Sequence, residues 1–200
     1  MNEAKEHILK TAFGLFLQKN FKEVTMKEIV EKTGLSKGAF YHYFESKEKL
    51  FFEVIDTFYF KNIMVDFNLL NKNSLYEFYN DYVEKMVLII NKMQSDYSYC
   101  DSLANMNFIT IMFDAVHMFP ELKSKLMKAM QEELDAWIEV IKNSREKGEF
   151  TSPMTDDQIA KVFIYSNDGI GLRLLLENKT EKMKEEMLTL WDNFYKEIKD

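Results

Sequence analysis

Residues 25–50, TMKEIVEKTGLSKGAFYHYFESKEKL, contain two short helical segments separated by a tight turn. Thr25 and Glu28 form a capping-box pattern, in which the hydroxyl satisfies a free helix N–H and the carboxylate reaches back. Gly34 supplies the turn conformation, and Ser36 can cap the segment that follows. Two short helices joined by a tight turn that contains glycine are typical of a helix-turn-helix.

The flanking sequence extends this helical pattern in both directions. Residues 3–18 place apolar side chains at helical spacing, and Asn20 can adopt the left-handed conformation that ends a helix. Ser46 can cap a further helix, which we expect to run from Lys47 to about Asn68. The N-terminal third of the chain therefore predicts four helices in succession.

The remaining sequence predicts five more helices, and none of it alternates as a strand does. Only six glycines and two prolines interrupt the chain, about 4 % of it against an average of about 12 %. We therefore predict an all-α protein of about nine helices. The five additional segments are approximately 74–93, 102–118, 120–147, 155–177 and 180–198.

Composition excludes several classes of protein. The 200 residues are 46 % hydrophobic and 30 % charged, as in a globular chain. A single cysteine, Cys100, excludes an intrachain disulfide and fits a reducing, cytoplasmic location, and its thiol is either a redox sensor or incidental. The charged start is unlike a signal peptide, and no run of about 18 apolar residues predicts a membrane span. Because no catalytic or metal-ligand motif occurs, we expect no enzyme, no metal and no cofactor.

Charge is distributed unevenly along the chain. The formal net charge is −7, which taken alone argues against a nucleic-acid partner. Residues 1–50, however, hold nine lysines and seven acidic residues, so they carry +2 and the other 150 residues carry −9. Such asymmetry hints at a division of labour between parts of a chain. The alternative is that the lysine-rich composition reflects an A+T-rich coding sequence.

The second short helix carries groups suited to DNA on its exposed side, while Phe40 and Phe44 are its expected inward anchors. Lysine can meet a phosphate or a guanine edge, and tyrosine and serine hydroxyls bond phosphate oxygens. The second helix of a helix-turn-helix normally lies in the major groove. The alternative is a helical hairpin with a solvated lysine face.

The order T25-M-K-E-I29, T33-G-L-S-K-G-A-F-Y41-H-Y-F44 and S46-K-E-K-L50 resembles the DNA-binding segment of the TetR (tetracycline-repressor-like) family of transcriptional regulators. The match spans roughly residues 8–52. It implies an all-α homodimer with a three-helix helix-turn-helix DNA-binding domain at residues 1–46. Residues 47–200 would supply a connecting helix, a ligand-binding domain and the dimer interface.

By position, the resemblance also implies a set of DNA contacts. Thr25, Lys27 and Lys47 would contact phosphate. The residues facing or adjoining the groove and backbone would be Ser36, Lys37, Gly38, Ala39, Tyr41, His42 and Tyr43.

The segment departs from the family pattern at a few positions. Val30 and Thr33 stand where alanine is usual, and Asn20 stands where glycine is usual. No arginine occurs in residues 1–50, although arginine is the commonest bidentate reader of guanine. Base readout would then rest on Lys37, on short side chains or on shape. We therefore expect an operator recognised partly through phosphate contacts and groove shape, with modest discrimination between sequences.

The C-terminal helices contain candidates for an effector pocket. Thirteen methionines and 29 aromatic residues exceed what a compact core needs, and methionine walls suit adaptable pockets. The alternative is plain core packing, and His117 is either a core histidine or a ligand contact. Asn167 and Asp168 are pocket groups or interface hydrogen-bonders. The candidate pocket residues are Phe67, Tyr82, Met86, Phe108, Met112, Phe113, His117, Trp137, Phe163 and Asn167.

Two C-terminal helices also predict a dimer interface. Mid-helix glycines cost about 1 kcal/mol each relative to alanine, a cost that close approach of another helix would offset. We expect segments 155–177 and 180–198 to pair with their symmetry mates as a four-helix bundle. The candidate interface residues are Gly169, Gly171, Leu172, Leu175, Met187, Leu190, Trp191 and Phe194.

These observations together predict a dimeric transcriptional regulator that responds to a small molecule. We expect a repressor that binds a palindromic, double-stranded DNA operator and is released by a small apolar or aromatic effector. The alternative is a DNA-binding dimer without a small ligand, which is gated by a partner protein or is architectural. No membrane partner is expected.

Overall fold

The computed structural model describes residues 3–61, 64–96 and 102–199, and in these ranges the secondary structure is entirely helical. The prediction of an all-α fold is confirmed, with nine α-helices among the described residues. They are α1 (Glu3–Glu23), α2 (Met26–Thr33), α3 (Lys37–Tyr43), α4 (Lys47–Ile55), α5 (Leu75–Asp96), α6 (Ser102–Met118), α7 (Pro120–Glu146), α8 (Asp156–Leu176) and α9 (Met183–Lys199). Cys100 lies outside the described residues.

The chain forms two compact units. Unit 1 comprises Met1–Met64 and Ser95–Leu126, and unit 2 comprises Val65–Gln94 and Met127–Asp200. Unit 1 therefore contains α6 in addition to the four N-terminal helices. The division into functional domains at residues 46 and 47 stays a prediction.

Serine and threonine caps begin the helices of the N-terminal segment as predicted. The hydroxyl of Thr25 accepts from the Glu28 N–H at 3.2 Å, and that of Ser46 accepts from the Lys49 N–H at 3.2 Å. In the expected capping box the Glu28 carboxylate would also reach back to the start of α2. It pairs instead with Lys19 Nζ at 2.6 Å. The Glu28 side chain thus ties α2 to α1.

The core of unit 1 is built from α1, α4 and α6 around phenylalanine rings. Phe16 meets Phe51 edge-on at 4.9 Å between ring centroids, and both are fully buried. Helix α6 buries Ile111 and Ala115 in the same cluster. Its Asn107 amide donates to the Leu17 carbonyl of α1 at 2.7 Å. This packing makes α6 a support for the N-terminal helices.

Helix α4 is much shorter than the sequence predicts. Its α-helical part ends at Ile55, and a π-helical turn follows at Asp56–Phe60, so the expected helix to Asn68 is wrong. The π turn lays Phe58 flat on Phe13, with ring centroids 4.9 Å apart. A side-chain contact of this kind can offset the poorer hydrogen-bond geometry of a wide turn.

The core of unit 2 is an aromatic cluster between α5, α7, α8 and α9. Trp137 stacks on Phe163 at 4.8 Å and meets Trp191 edge-on at 5.7 Å, and all three are fully buried. The Trp191 indole N–H donates to the Ser166 hydroxyl at 2.8 Å. The Trp137 indole N–H has no hydrogen-bond partner among the described residues.

A single arginine closes the connection between α7 and α8. Arg145 donates from Nε to Asp156 and from its two terminal nitrogens to the carbonyls of Ser152 and Met154, at 2.8 to 2.9 Å. Its guanidinium also lies over the Phe150 ring, 5.2 Å from the centroid. The fork of an arginine suits this several-fold contact, which one lysine could not reproduce.

A strained backbone position interrupts α1 before the helix-turn-helix. Asn20 has φ 65° and ψ 172°, and its side-chain oxygen accepts from the N–H groups of Lys22 and Glu23. The predicted positive φ is confirmed, although this ψ value differs from that of a left-handed helical residue. Backbone with these angles is essentially restricted to glycine and costs about 1–3 kcal/mol elsewhere.

Substitutions at Asn20 are expected to separate the backbone strain from the cap. Asn20→Ala keeps the strained angles and loses both side-chain acceptor contacts, so we expect a loss of about 2 kcal/mol in unfolding free energy by urea denaturation. Asn20→Gly loses the same contacts but relieves the angles, so it should stay within about 1 kcal/mol of wild type. Equal stability of the two variants would contradict this account.

Candidate DNA-binding surface and regulatory sites

Helix α3 is anchored to the core of unit 1 by its aromatic side chains, as predicted. Phe40 is fully buried and Phe44 nearly so, and both belong to the core cluster of unit 1. The Ser36 hydroxyl caps the helix by accepting from the Ala39 N–H at 3.3 Å. Gly34 adopts φ 68° and ψ 5°, a left-handed conformation that closes α2 and forms the turn.

The remaining side of α3 is open to solvent. The residues exposed there are Ser36, Lys37, Gly38, Ala39, Tyr41 and His42. Lys37 Nζ lies 6.0 Å from the centroid of the Tyr41 ring, so the two groups occupy one patch. A side chain at Gly38 would meet no atom of the chain within 4 Å, which leaves the backbone there accessible. Tyr43 is partly buried and its ring meets His42 at 5.4 Å.

The start of α2 borders the same segment. Thr25 is exposed, and Lys27 extends into solvent with a long contact of 3.8 Å to Glu31. The far end of α2 is tied to α1, because His7 Nε2 donates to the Thr33 carbonyl at 3.0 Å. Both ends of α2 are therefore fixed, and the two predicted phosphate-binding side chains remain exposed.

Lys47 differs from the other predicted phosphate contacts. Its ammonium donates to the carbonyl oxygens of Phe21 and Val24, each at 2.9 Å, and lies 4.3 Å from the centroid of the Phe21 ring. Two of its three N–H donors are thus used within the chain. The predicted phosphate contact of Lys47 stays a prediction.

The predicted pocket residues divide between the two units. Those in unit 1 are Phe108, Met112, Phe113 and His117. Met112 is buried and Phe108 stacks on Tyr59 at 5.7 Å, but Phe113 is 68 % exposed. His117 is exposed as well, so its interpretation as a core histidine is wrong. Phe113 and His117 thus lie on the exposed side of α6, away from its packed face.

The other predicted pocket residues lie in unit 2: Phe67, Tyr82, Met86, Trp137, Phe163 and Asn167. Tyr82 stacks on Phe67 at 6.1 Å and meets Trp137 at 5.6 Å. Met86 and Asn167 are partly buried. A single pocket that draws on both sets stays a prediction.

Sequence reasoning missed an acidic residue beside this aromatic cluster. The Tyr82 hydroxyl donates to Glu133 at 3.4 Å, and burial together with the nearby Asp168 carboxylate raises the pKa of Glu133 to about 7. Desolvation also raises the pKa of Asp168. Glu133 precedes Trp137 by four residues on α7, so helical spacing placed it on the buried face. This spacing from Trp137 is the sequence signal that could have identified Glu133.

The predicted interface residues on α8 and α9 fall into two groups. Leu172 and Leu190 are 50 % and 47 % exposed, and the space around Gly169 is open. Gly171, Leu175 and Phe194 are partly buried. Met187 and Trp191 are fully buried within unit 2, so the prediction that they contact a partner is wrong. These two side chains of α9 pack against their own chain.

Within the described ranges, no helix is both long and apolar enough to cross a bilayer. The same residues contain no group of three or more histidine, cysteine, aspartate or glutamate side chains that could hold a metal ion.

Comparison with known proteins identifies the N-terminal segment. Residues 8–54 match the family described as "Bacterial regulatory proteins, tetR family". The chain is 54 % identical over 50 residues to the uncharacterized HTH-type transcriptional regulator YerO of Bacillus subtilis. That match covers 25 % of this chain and only 17 % of YerO.

Two further similarities extend along the chain. YfiR, another uncharacterized HTH-type transcriptional regulator of Bacillus subtilis, is 25 % identical over 169 residues, or 84 % of this chain and 78 % of YfiR. A solved putative TetR/AcrR transcriptional regulator aligns with TM-score 0.67 and 22 % identity, covering 98 % of this chain and all of the other. Residues 8–54 therefore match the DNA-binding segment of the tetR family of bacterial regulatory proteins, and the helical fold of the chain is similar to that of the solved regulator.

Proposed function

We propose that the chain is a dimeric, ligand-responsive DNA-binding regulator, and that it represses transcription from a palindromic operator until a small effector releases it. The observation that carries this proposal is the solvent-exposed face of α3. Its backbone is fixed by the Ser36 cap and by two buried phenylalanines, while Lys37 and Tyr41 remain available to a partner. A helix held in this way is suited to the major groove.

The charge of the surface supports a double-stranded DNA partner. Lys27 and Lys37 are exposed on consecutive helices, and Thr25 and Ser36 add hydroxyls at the helix N-termini. Lysines, hydroxyls and helix N-termini all bind phosphate oxygens. Because the rest of the chain is acidic, repulsion would orient the basic segment toward the duplex.

A homodimer is supported by apolar side chains that unit 2 leaves in solvent. Tyr165, Leu172 and Leu176 are each at least half exposed on α8, and Leu190 is nearly half exposed on α9. Large apolar side chains clustered on two helices are typical of interaction surfaces. Pairing of α8 and α9 with their symmetry mates would cover them and place two α3 helices on successive major grooves.

The aromatic side chains and Glu133 of unit 2 support a small effector with apolar or aromatic character. Tyr82 contacts both Phe67 and Trp137, and its hydroxyl holds Glu133. An aromatic wall with a few polar groups is typical of small-molecule sites. Effector binding that shifts the connecting α4 would alter the separation of the two α3 helices.

Lys37→Ala tests the proposed recognition surface. We expect about tenfold weaker binding to a duplex selected by the wild-type protein from a random pool, because each protomer loses one cationic contact. Binding would be measured by fluorescence anisotropy. Lys123→Ala, which removes an exposed lysine from α7, should bind as wild type does. Equal weakening by both variants would contradict a specific role for α3.

Reciprocal binding tests the proposed release by an effector. A ligand found by thermal-shift screening should bind more weakly when the protein is saturated with the selected duplex, by the same factor by which it weakens DNA binding. Isothermal titration with and without duplex measures that factor. Ligand affinity unaffected by DNA would favour a dimer gated by other means.

A further inference from the structure

Lys47 joins the two ends of the helix-turn-helix. It is the first residue of α4, and its ammonium donates to the carbonyls of Phe21 and Val24 at 2.9 Å each. Val24 directly precedes the cap of α2, whereas Lys47 directly follows Ser46, which caps α4. One side chain therefore connects the residues that bracket the entire segment 25–46.

The two carbonyls need such a donor. Phe21 lies in the last turn of α1, where carbonyl groups lack a partner four residues later. Val24 is fully buried in the non-helical connection to α2. A cation at the C-terminal end of a helix is also favoured by the helix dipole. The Lys47 ammonium thus meets polar atoms that water reaches poorly.

Aromatic packing holds the lysine in this position. Its ammonium lies over the Phe21 ring, 4.3 Å from the centroid, and the same ring packs against Phe51 of α4 at 4.6 Å. Lys47 is itself partly buried. The ammonium, the ring and the two carbonyls form a closed junction between α1, α2 and α4.

From this geometry we infer that Lys47 is a positioning residue for DNA binding: it fixes the start of α2 to the start of α4 and acts through those backbone carbonyls, without binding a phosphate. The inference rests on the proposed DNA-binding function. Loss of the ammonium would leave the α3 side chains unchanged but allow the helix-turn-helix to shift relative to α4. Movement of α4 would conversely be transmitted to α2 through this contact.

The salt dependence of binding distinguishes the possible roles of Lys47. Lys47→Met keeps the aliphatic stem over Phe21 and removes the donors. We expect about tenfold weaker binding to the selected duplex at every salt concentration between about 50 and 300 mM, with an unchanged slope of log Kd against log[salt]. Lys47→Arg, which can donate to both carbonyls, should restore most of the affinity. Lys49→Met, an exposed change in the same turn of α4, is the control.

Two results would overturn the inference. A phosphate contact would make the slope shallower by about 0.9 for each lysine lost, or about 1.8 per dimer. Unchanged affinity of correctly folded Lys47→Met would show that the contact serves stability alone. If the wild-type protein retains no duplex from the pool, the proposed function fails instead.

Nitrogen-15 NMR of the Lys47 ammonium in the wild-type protein supplies a measurement that needs no variant. Hydrogen bonds to two buried carbonyls should slow proton exchange at Nζ before DNA is added, and the resonance should stay in place in the complex. Rapid exchange in the free protein, or a large shift on DNA binding, would contradict the inference.

Discussion

The double substitution Leu172→Asp and Leu190→Asp is expected to make the protein monomeric at micromolar concentration in sedimentation velocity. Both leucines are about half exposed in the single chain, so the aspartates remain solvated in the monomer and folding should be nearly unaffected. In the proposed four-helix interface the same carboxylates would be desolvated without partners, which costs several kcal/mol. The dissociation constant of the dimer should therefore rise more than a hundredfold.

DNA binding should weaken with the dimer. Two linked recognition helices gain from a high effective concentration, and separate monomers lose that gain, so we expect at least a hundredfold loss for the selected duplex. Leu88→Asp is the matched control, because it introduces the same charge at a leucine of α5 that is 61 % exposed. Dissociation by Leu88→Asp, or persistence of the dimer in the double variant, would show that α8 and α9 are not the interface.

Glu133→Gln is expected to stabilise the protein above pH 7 and to have little effect near pH 5. The folded state raises the pKa of Glu133 from its usual 4.5 to about 7, mainly by burial and then by repulsion from Asp168. At pH values between these two pKa values, Glu133 keeps its proton in the folded chain but has released it in the unfolded chain. Wild-type stability is therefore complete below about pH 4.5 and decreases as the pH rises through 7.

The size of this effect follows from the same difference in pKa. It corresponds to about 3 kcal/mol when fully expressed, and residual contact of Glu133 with solvent reduces the expected gain to about 2 kcal/mol at pH 8. The glutamine oxygen still accepts from Tyr82. Urea denaturation at fixed protein concentration from pH 5 to 8.5 measures the gain, since dimerisation would otherwise change the apparent stability.

Two variants separate burial from charge. Glu132→Gln removes one carboxylate from an exposed position of α7 and should give the pH profile of wild type. Asp168→Asn removes the second cause of the raised pKa, so the loss of stability should still begin near pH 4.5 but should end at lower pH and be smaller than in wild type. A Glu133→Gln profile parallel to wild type would show that Glu133 is already ionised in the folded state.

Local sequence signals accounted well for the N-terminal helices. Capping hydroxyls at Thr25, Ser36 and Ser46, with a left-handed glycine at 34, mark helix boundaries through contacts within three residues. Such short-range hydrogen bonds can be read from residue order alone. The inward anchors Phe40 and Phe44 follow from helical spacing in the same way.

Contacts between distant residues could not be read in this manner. The apolar pattern after Ile55 continues with helical spacing, and nothing in that pattern indicates the π turn or the stacking of Phe58 on Phe13 that accompanies it. An amphipathic stripe such as that of Met187 and Trp191 shows that a face is covered, but not whether its own chain or a partner covers it. The carbonyl partners of Lys47 lie more than twenty residues away in sequence.

The side-chain cations of residues 1–50, histidine aside, are all primary amines, whereas Arg145 closes the α7–α8 connection with a guanidinium. Acetylation neutralises lysine and leaves arginine unchanged, so one amine-selective reagent would remove the positive charge of the helix-turn-helix and spare the Arg145 contacts. In the presence of a duplex, lysines covered by DNA would be protected. The pattern of protected lysines, read by mass spectrometry, would then be a chemical footprint of the operator complex.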